Sequence, residues 1–355
     1  MGRGRERFAT GAAVVALLAA AALCAVLPHL SIGFPAGHSI NVNIFWHDSF
    51  SEQLLSGELL PRWLFSYWGG LGAPVFYFYA PFPFYLFALI ELFPVDQWGE
   101  FAVLTVGHAL LFFLSGAAFY VLARRFTDRF WATVIAIAYM FAPYHYVDIE
   151  IRAAMGEACA YIWIPLILTG VWRPEKKWWS TVLAACAYAG LILSHLPSAL
   201  LAAPAIALFS VLSSARPERP LAIVHALVVG VLGTALSAFY VLPALILRDT
   251  ISHDAWITGQ GLHFVATRWL IGSPDLNPFG RLVYELLGGT TAVGVGFLLA
   301  HAALRKSRFG AELEAPPKHL TPPIIAVLCL CWFLMSELAW PLWEYLPFLP
   351  QVQFP

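Results

Sequence analysis

Charge is what this sequence has least of: 12% of its 355 residues are Asp, Glu, Lys or Arg, about half the share found in soluble globular domains. A chain that is 60% hydrophobic, at a mean hydropathy of +0.73, reads as a membrane protein. A basic excess is also missing, with 20 Lys and Arg against 21 Asp and Glu. That excludes the positive field nucleic-acid binding needs, so no nucleic acid is expected as a partner. The five cysteines (Cys24, Cys159, Cys186, Cys329 and Cys331) lie inside apolar runs without metal or redox spacing. No disulfide framework or zinc motif follows from them. No small-residue cleavage site stands out before Pro28, so the first apolar run is read as a span, not a removed signal.

Long apolar runs are what the chain has in abundance. A helix needs about 20 apolar residues to cross the hydrocarbon core, and such runs occur at about 8-30, 101-123, 130-147, 157-172, 178-194, 197-213, 220-247, 282-304 and 321-347. A tenth stretch, 75-93, is apolar but contains Pro81 and Pro83, is flanked by Pro74 and Pro94, and carries Glu91. If it does not span and the N-terminus is cytoplasmic, 15 Lys and Arg face inward and 5 outward; if it spans, the balance becomes 7 against 13. The positive-inside rule selects the first arrangement.

The expected fold is therefore all-α, a polytopic transmembrane bundle of about nine spans in one domain, 1-355. Its outer loops fall at about 31-100, 148-157 and 248-281, and 75-93 lies in the outer interface as an aromatic, proline-broken segment. Twelve carboxylates fall in the outer loops against six in the inner ones, so chemistry is expected to face outward. No internal or inverted repeat of the kind many transporters carry is evident.

Three constellations stand out. In the first outer loop, Phe45 to Glu52 followed by Leu54, Leu55, Leu59 and Leu60 has the pattern of an amphipathic helix lying on the membrane. Asp48, with His47 before it, either accepts a proton from a bound hydroxyl or opens this helix, because Ser49-x-x-Glu52 is a capping-box pattern. Further on, Gly69-Gly70-Leu71-Gly72 precedes an aromatic block from Tyr77 to Tyr85 that includes Tyr79. The block reads as an interfacial anchor or a groove for an isoprenoid chain, with anchor the default. In the second outer loop, Asp148-x-Glu150 with Arg152 and Glu157 suits a divalent cation, Mg2+ or Mn2+, beside a phosphate. The alternative is that Arg152 simply pairs with Glu157 or Glu150. His195, in Ser194-His195-Leu196-Pro197, lines the same face or is only a turn residue. The seven outer histidines show no ligand spacing, and His108, His225 and Glu337 form no obvious relay within the membrane.

With these residues in view, the sequence resembles bacterial polytopic membrane proteins named as 6-pyruvoyl-tetrahydropterin synthase-related. It is also similar to the C-type glycosyltransferase (GT-C) superfamily, which includes oligosaccharyltransferases and protein mannosyltransferases. The resemblance rests on His47-Asp48, Gly57 to Trp63, Gly70-x-Gly72-x-Pro74, Tyr79 to Tyr85, Ala142-Pro143-Tyr144, Arg152 to Glu157, His195-Leu196-Pro197 and Gln353-Phe354-Pro355. It implies a glycosyltransferase in the bacterial inner membrane, taking a sugar from a polyprenyl-phosphate-linked donor on the periplasmic face. Asp48 matches the essential Asp of the first outer loop, and Asp148 and Glu150 match the second-loop acids more loosely. Arg152, Glu157, His47, Tyr79, Tyr85 and His195 are then substrate-binding. The paired acidic motif of well-studied members is absent at Asp48, and the chain is expected to be truncated after Pro355. The rivals are a lipid or polysaccharide transporter and a non-catalytic scaffold.

Overall fold

The computed structural model describes residues 2–93, 101–172, 178–250, 271, 278–306 and 321–345. The rest of the third outer loop, with Asp254 and Asp275, lies outside the described residues, as do Asp96, Glu100 and the closing Gln353-Phe354-Pro355.

Among the described residues the chain is helical, with only isolated bridges between extended residues. The helices are α1 Gly2–Ile32, α2 Ile40–Leu55, α3 Val75–Phe78, α4 Phe82–Ile90, α5 Ala102–Ala123, α6 Arg129–Met140, α7 Pro143–Glu150, α8 Met155–Val171, α9 Trp178–Ser194, α10 Leu196–Ser213, α11 Arg219–Leu236, α12 Ala238–Ile246, α13 Pro278–Lys306, α14 Thr321–Leu334 and α15 Trp340–Tyr345. Among the described residues four stretches, Gly11–Ile32, Ala102–Ala123, Leu196–Ser213 and Arg216–Leu236, are long and apolar enough to cross a membrane. The pair α6 and α7 makes a fifth if its 44° bend is counted as one span. Pro143 causes that bend: it opens α7 at a position where its missing N–H costs nothing, and it drives Ala142 out of helical geometry (φ −57, ψ 132). The run at 220-247 is likewise divided, at Ser237, whose hydroxyl turns back to the Gly233 carbonyl.

Contacts group the chain into two compact units, Met1–Ala207 with Pro220–Arg248, and Leu208–Arg219 with Asp249–Pro355. In the second, Ile271 pairs in extended fashion with Ser336, and Trp343 closes α15 on α14 by donating its indole N–H to the Leu334 carbonyl. In the first, α8 packs on α5 and α9, and α5 on α1 and α6. Glycines set how closely α8 and α9 approach. A Cβ at Gly156 would fall 2.6 Å from the Ser194 carbonyl, one at Gly170 2.6 Å from that of Ser180, and one at Gly190 2.6 Å from the Trp163 ring. Lipid supplies no hydrophobic drive between helices, so this backbone-to-backbone fit is what holds the pair together. Trp163 adds a hydrogen bond to Ser194 at 2.8 Å.

The segment expected to form the first outer loop differs from its sequence reading in two ways. Helix α2 begins at Ile40, so Asp48 and Ser49 sit in its middle and cap nothing. The chain entering the helix is fixed from elsewhere: the His38 and Ser39 N–H groups, just before α2, bond the carbonyls of Ile151 and Arg152 at 3.0 and 3.1 Å. The aromatic block, read as an anchor, turns inward. The chain breaks between α3 and α4, folding both against α2, so that Phe50, Phe76 and Phe84 are buried and meet edge to face or tilted, while the buried Phe87 meets His47 and His108 edge to face. Each such ring contributes on the order of 2–3 kcal/mol by burial alone. Phe65, Trp68 and Leu71 are among the apolar side chains left exposed in this segment. They sit around a turn closed by the Leu64–Ala73 bridge and built on Gly72 (φ +80), where a Cβ would strike the Trp63 indole.

Candidate functional site

The loop between α7 and α8 organises the polar groups. Arg152 donates from a single nitrogen, Nη1, to Asp148 (2.8 Å), Glu157 (2.6 Å) and the Tyr144 hydroxyl (2.8 Å), and Tyr144 donates in turn to Glu157 at 3.1 Å. Asp148 stands one helical turn before Arg152 and is fully buried, and Glu157 lies in the first turn of α8, where a carboxylate suits the helix dipole. Arg152 Nε and Nη2 make no hydrogen bond among the described residues. Burial opposes the Arg152 charge, but Glu157, Tyr144 and Asp148 overcome it and keep the guanidinium protonated above its ordinary range.

Tyr79 and His195 border this cluster. Burial, followed by the nearby Cys159, Glu157 and Asp148, pushes the Tyr79 hydroxyl up to about 12. His195 feels both Glu157 and Arg152; burial leads in lowering its pKa, and its Nδ1 meets the Ser198 hydroxyl at 2.7 Å. The structure thus brings together Arg152, Glu157, Asp148, Tyr79 and His195 from positions spread over more than a hundred residues.

The remaining predicted residues lie apart from this cluster. Glu150, two residues from Asp148 on α7, is turned to the other side of the helix and meets His29 Nε2 at 2.7 Å. Asp148 and Glu150 are therefore engaged with different partners and do not fit a shared Mg2+ or Mn2+. His47 pairs with Glu91 at 2.7 Å, and Ser51 donates to the other Glu91 oxygen. Burial works against the Glu91 charge, but these two hydrogen bonds and the His47 charge outweigh it, so its carboxyl lies below the usual range. Asp48 is exposed; burial raises its carboxyl, His47 lowers it and Glu91 raises it. Tyr85 donates to the Leu59 carbonyl at 2.6 Å and packs on Phe50, within the first outer loop.

Sequence reasoning passed over several participants. Tyr144 bridges Arg152 and Glu157, Asn43 donates its side-chain amide to the Ala153 carbonyl, and Glu91 holds His47. Ala153 itself is in the left-handed region (φ 51), and the close approach of Gly37, where a Cβ would lie 2.7 Å from Ala153 Cβ, locks the loop to α2. Only Glu91 carried a signal, as a charge inside an apolar stretch.

Helices of this length and hydropathy around a polar loop define a multi-pass membrane protein. The chain belongs to the family of membrane proteins with the 6-pyruvoyl-tetrahydropterin synthase related domain, whose family model matches residues 76–353. That match takes in Tyr79, Tyr85, Asp148, Glu150, Arg152, Glu157 and His195, and begins beyond His47 and Asp48. No curated protein and no solved structure matches the chain.

Proposed function

We propose that the protein is a glycosyltransferase of C-type architecture with about nine spans and a cytoplasmic N-terminus in a bacterial inner membrane. It transfers a sugar from a polyprenyl-phosphate-linked donor on the periplasmic side. The observation that carries this reading is Arg152: three partners hold it through one nitrogen, while Nε and Nη2 remain available to a phosphate in the two-pronged manner guanidinium groups favour. Tyr79, His195 and Glu157 lie close to the same guanidinium and, in this reading, hydrogen-bond sugar hydroxyls.

Asp48 supplies the base in this reading. It is exposed on α2, and Ser39, the residue just before that helix, donates its N–H to the Arg152 carbonyl. Asp48 stands nine helical steps beyond Ser39, a rise of about 13 Å, which a sugar phosphate and two side chains can bridge. One observation favours a second reading: the charges around Asp48 are His47 and Glu91, not those of the Arg152 cluster. In that case the protein binds or moves a lipid phosphate without transferring its sugar. Transfer from a radiolabelled polyprenyl-phosphate sugar, measured in membranes, separates the two. Asp48→Asn abolishes product in the first reading, whereas no enzyme-dependent product forms at all in the second.

A further inference from the structure

Three side chains distant in sequence meet where α1, α5 and α7 come together. His29 lies in the last turn of α1, His108 in the second turn of α5, and Glu150 ends α7. One ligand atom from each falls within 4.8 Å of the others. His29 Nε2 is 2.7 Å from Glu150 Oε2, and His108 Nδ1 is 4.0 Å from Glu150 Oε1. Both histidines are buried, His108 at 1% exposed and His29 at 7%, and Glu150 is partly buried.

The direct His29–Glu150 contact leaves too much unmet. His29 Nδ1, His108 Nδ1 and Glu150 Oε1 are buried without a hydrogen-bond partner. Two of these, the Glu150 oxygen and the His108 nitrogen, face each other across the 4.0 Å gap, too long for a hydrogen bond. Buried polar atoms are almost always satisfied, so this convergence calls for a group that accepts lone pairs from both.

We propose that His29, His108 and Glu150 bind one divalent transition-metal ion of the zinc class. Two imidazoles and one carboxylate are a borderline donor set that suits Zn2+ better than Mg2+ or Ca2+, which take oxygen ligands. Tetrahedral coordination with bonds of about 2.1 Å sets ligand atoms about 3.4 Å apart. The present separations bracket that value, so the site closes by small side-chain movements. The fourth position is left for a water. Phe34 covers the site, its ring 4.9 Å from His29 and 5.2 Å from His108, and Phe101 stacks on Phe34 at 5.3 Å. Such an ion ties together the ends of α1, α5 and α7, two residues before Arg152. The proposal does not depend on the glycosyltransferase reading, because it needs only these three side chains.

The test uses the purified full chain in detergent, stripped with a chelator, with Co2+ as the probe. One Co2+ per chain is expected, with the strong visible absorption of four-coordinate cobalt, displaced by Zn2+. Zn2+ is also expected to raise the thermal midpoint of the stripped protein. His108→Gln and Glu150→Gln should each weaken uptake by more than about 100-fold, the upper end of what losing even an outer-shell partner does, while His47→Gln retains it. Unchanged uptake in both ligand variants overturns the site. If those variants do not fold, the wild-type spectrum decides: the weak absorption of six-coordinate aqueous cobalt overturns the proposal.

Discussion

Asn43, one turn into α2, donates its side-chain amide to the carbonyl of Ala153, the residue after Arg152. The bond joins the helix that carries Asp48 to the loop that carries the one buried cation of the candidate site, across 110 residues of chain. Both groups are buried, so the bond cannot be exchanged for water. Asn43→Ala is expected to cost about 1–3 kcal/mol, the penalty of an orphaned carbonyl, and Asn43→Asp at least as much, because a carboxylate would face that carbonyl. A lowered thermal midpoint of the purified protein in detergent checks this.

Arg152 balances two carboxylates, one of them fully buried. Arg152→Met leaves Asp148 and Glu157 unpaired and should destabilise by about 3–5 kcal/mol. Arg152→Lys keeps the charge but loses the fork, so near-native stability with weakened donor binding is expected. Thermal midpoints compared with donor-concentration dependence of transfer separate the two effects.

Glu91 gives a pH dependence of definite sign. Its carboxyl is held below the ordinary range in the folded protein, so its contribution to stability is complete above the unfolded value of 4.5. It is lost as pH falls from there through the folded value. Thermal midpoints recorded from pH 6 downward should fall less steeply in Glu91→Gln than in the wild type.

Asp48 behaves in the opposite sense. Its carboxyl is raised, so its base form is lost earlier on acidification than that of a free Asp, and transfer should fail correspondingly early. His47 opposes the rise. His47→Gln is therefore expected to move the acid limb of the pH–rate profile further upward.

The α8–α9 contact is the least tolerant of added volume. Gly156→Val sets atoms into the Ser194 carbonyl, already 2.6 Å from where a Cβ would stand. A loss of about 1–3 kcal/mol is expected for such overpacking. Yield of folded protein by size-exclusion chromatography, set against Gly230→Val, where a Cβ meets nothing within 4 Å, checks it.

The helical character and the membrane setting were legible because apolar runs and scarce charge are local properties. The start of α2 was not: Ser49 and Glu52 imitate a capping box, while the residues that lead into the helix, His38 and Ser39, are held by Ile151 and Arg152 carbonyls that no local pattern reveals. Pairing Asp148 with Glu150 failed for a geometric reason, since residues two apart on a helix face away from each other. Arg152 with Glu157 was legible as a short-range ion pair. Tyr79 and His195 joined them through tertiary packing, and His29 met His108 although each stands alone in an apolar run.

The most direct measurement of the central claim is transfer from a radiolabelled polyprenyl-phosphate sugar by the wild-type protein and by Asp48→Asn, with folding verified for both. The account predicts enzyme-dependent product from the wild type and a loss on the order of 10²–10⁴-fold in Asp48→Asn, the range general-base removal gives. Full activity in Asp48→Asn, or no product from the folded wild type across lipid-linked donors, would contradict it.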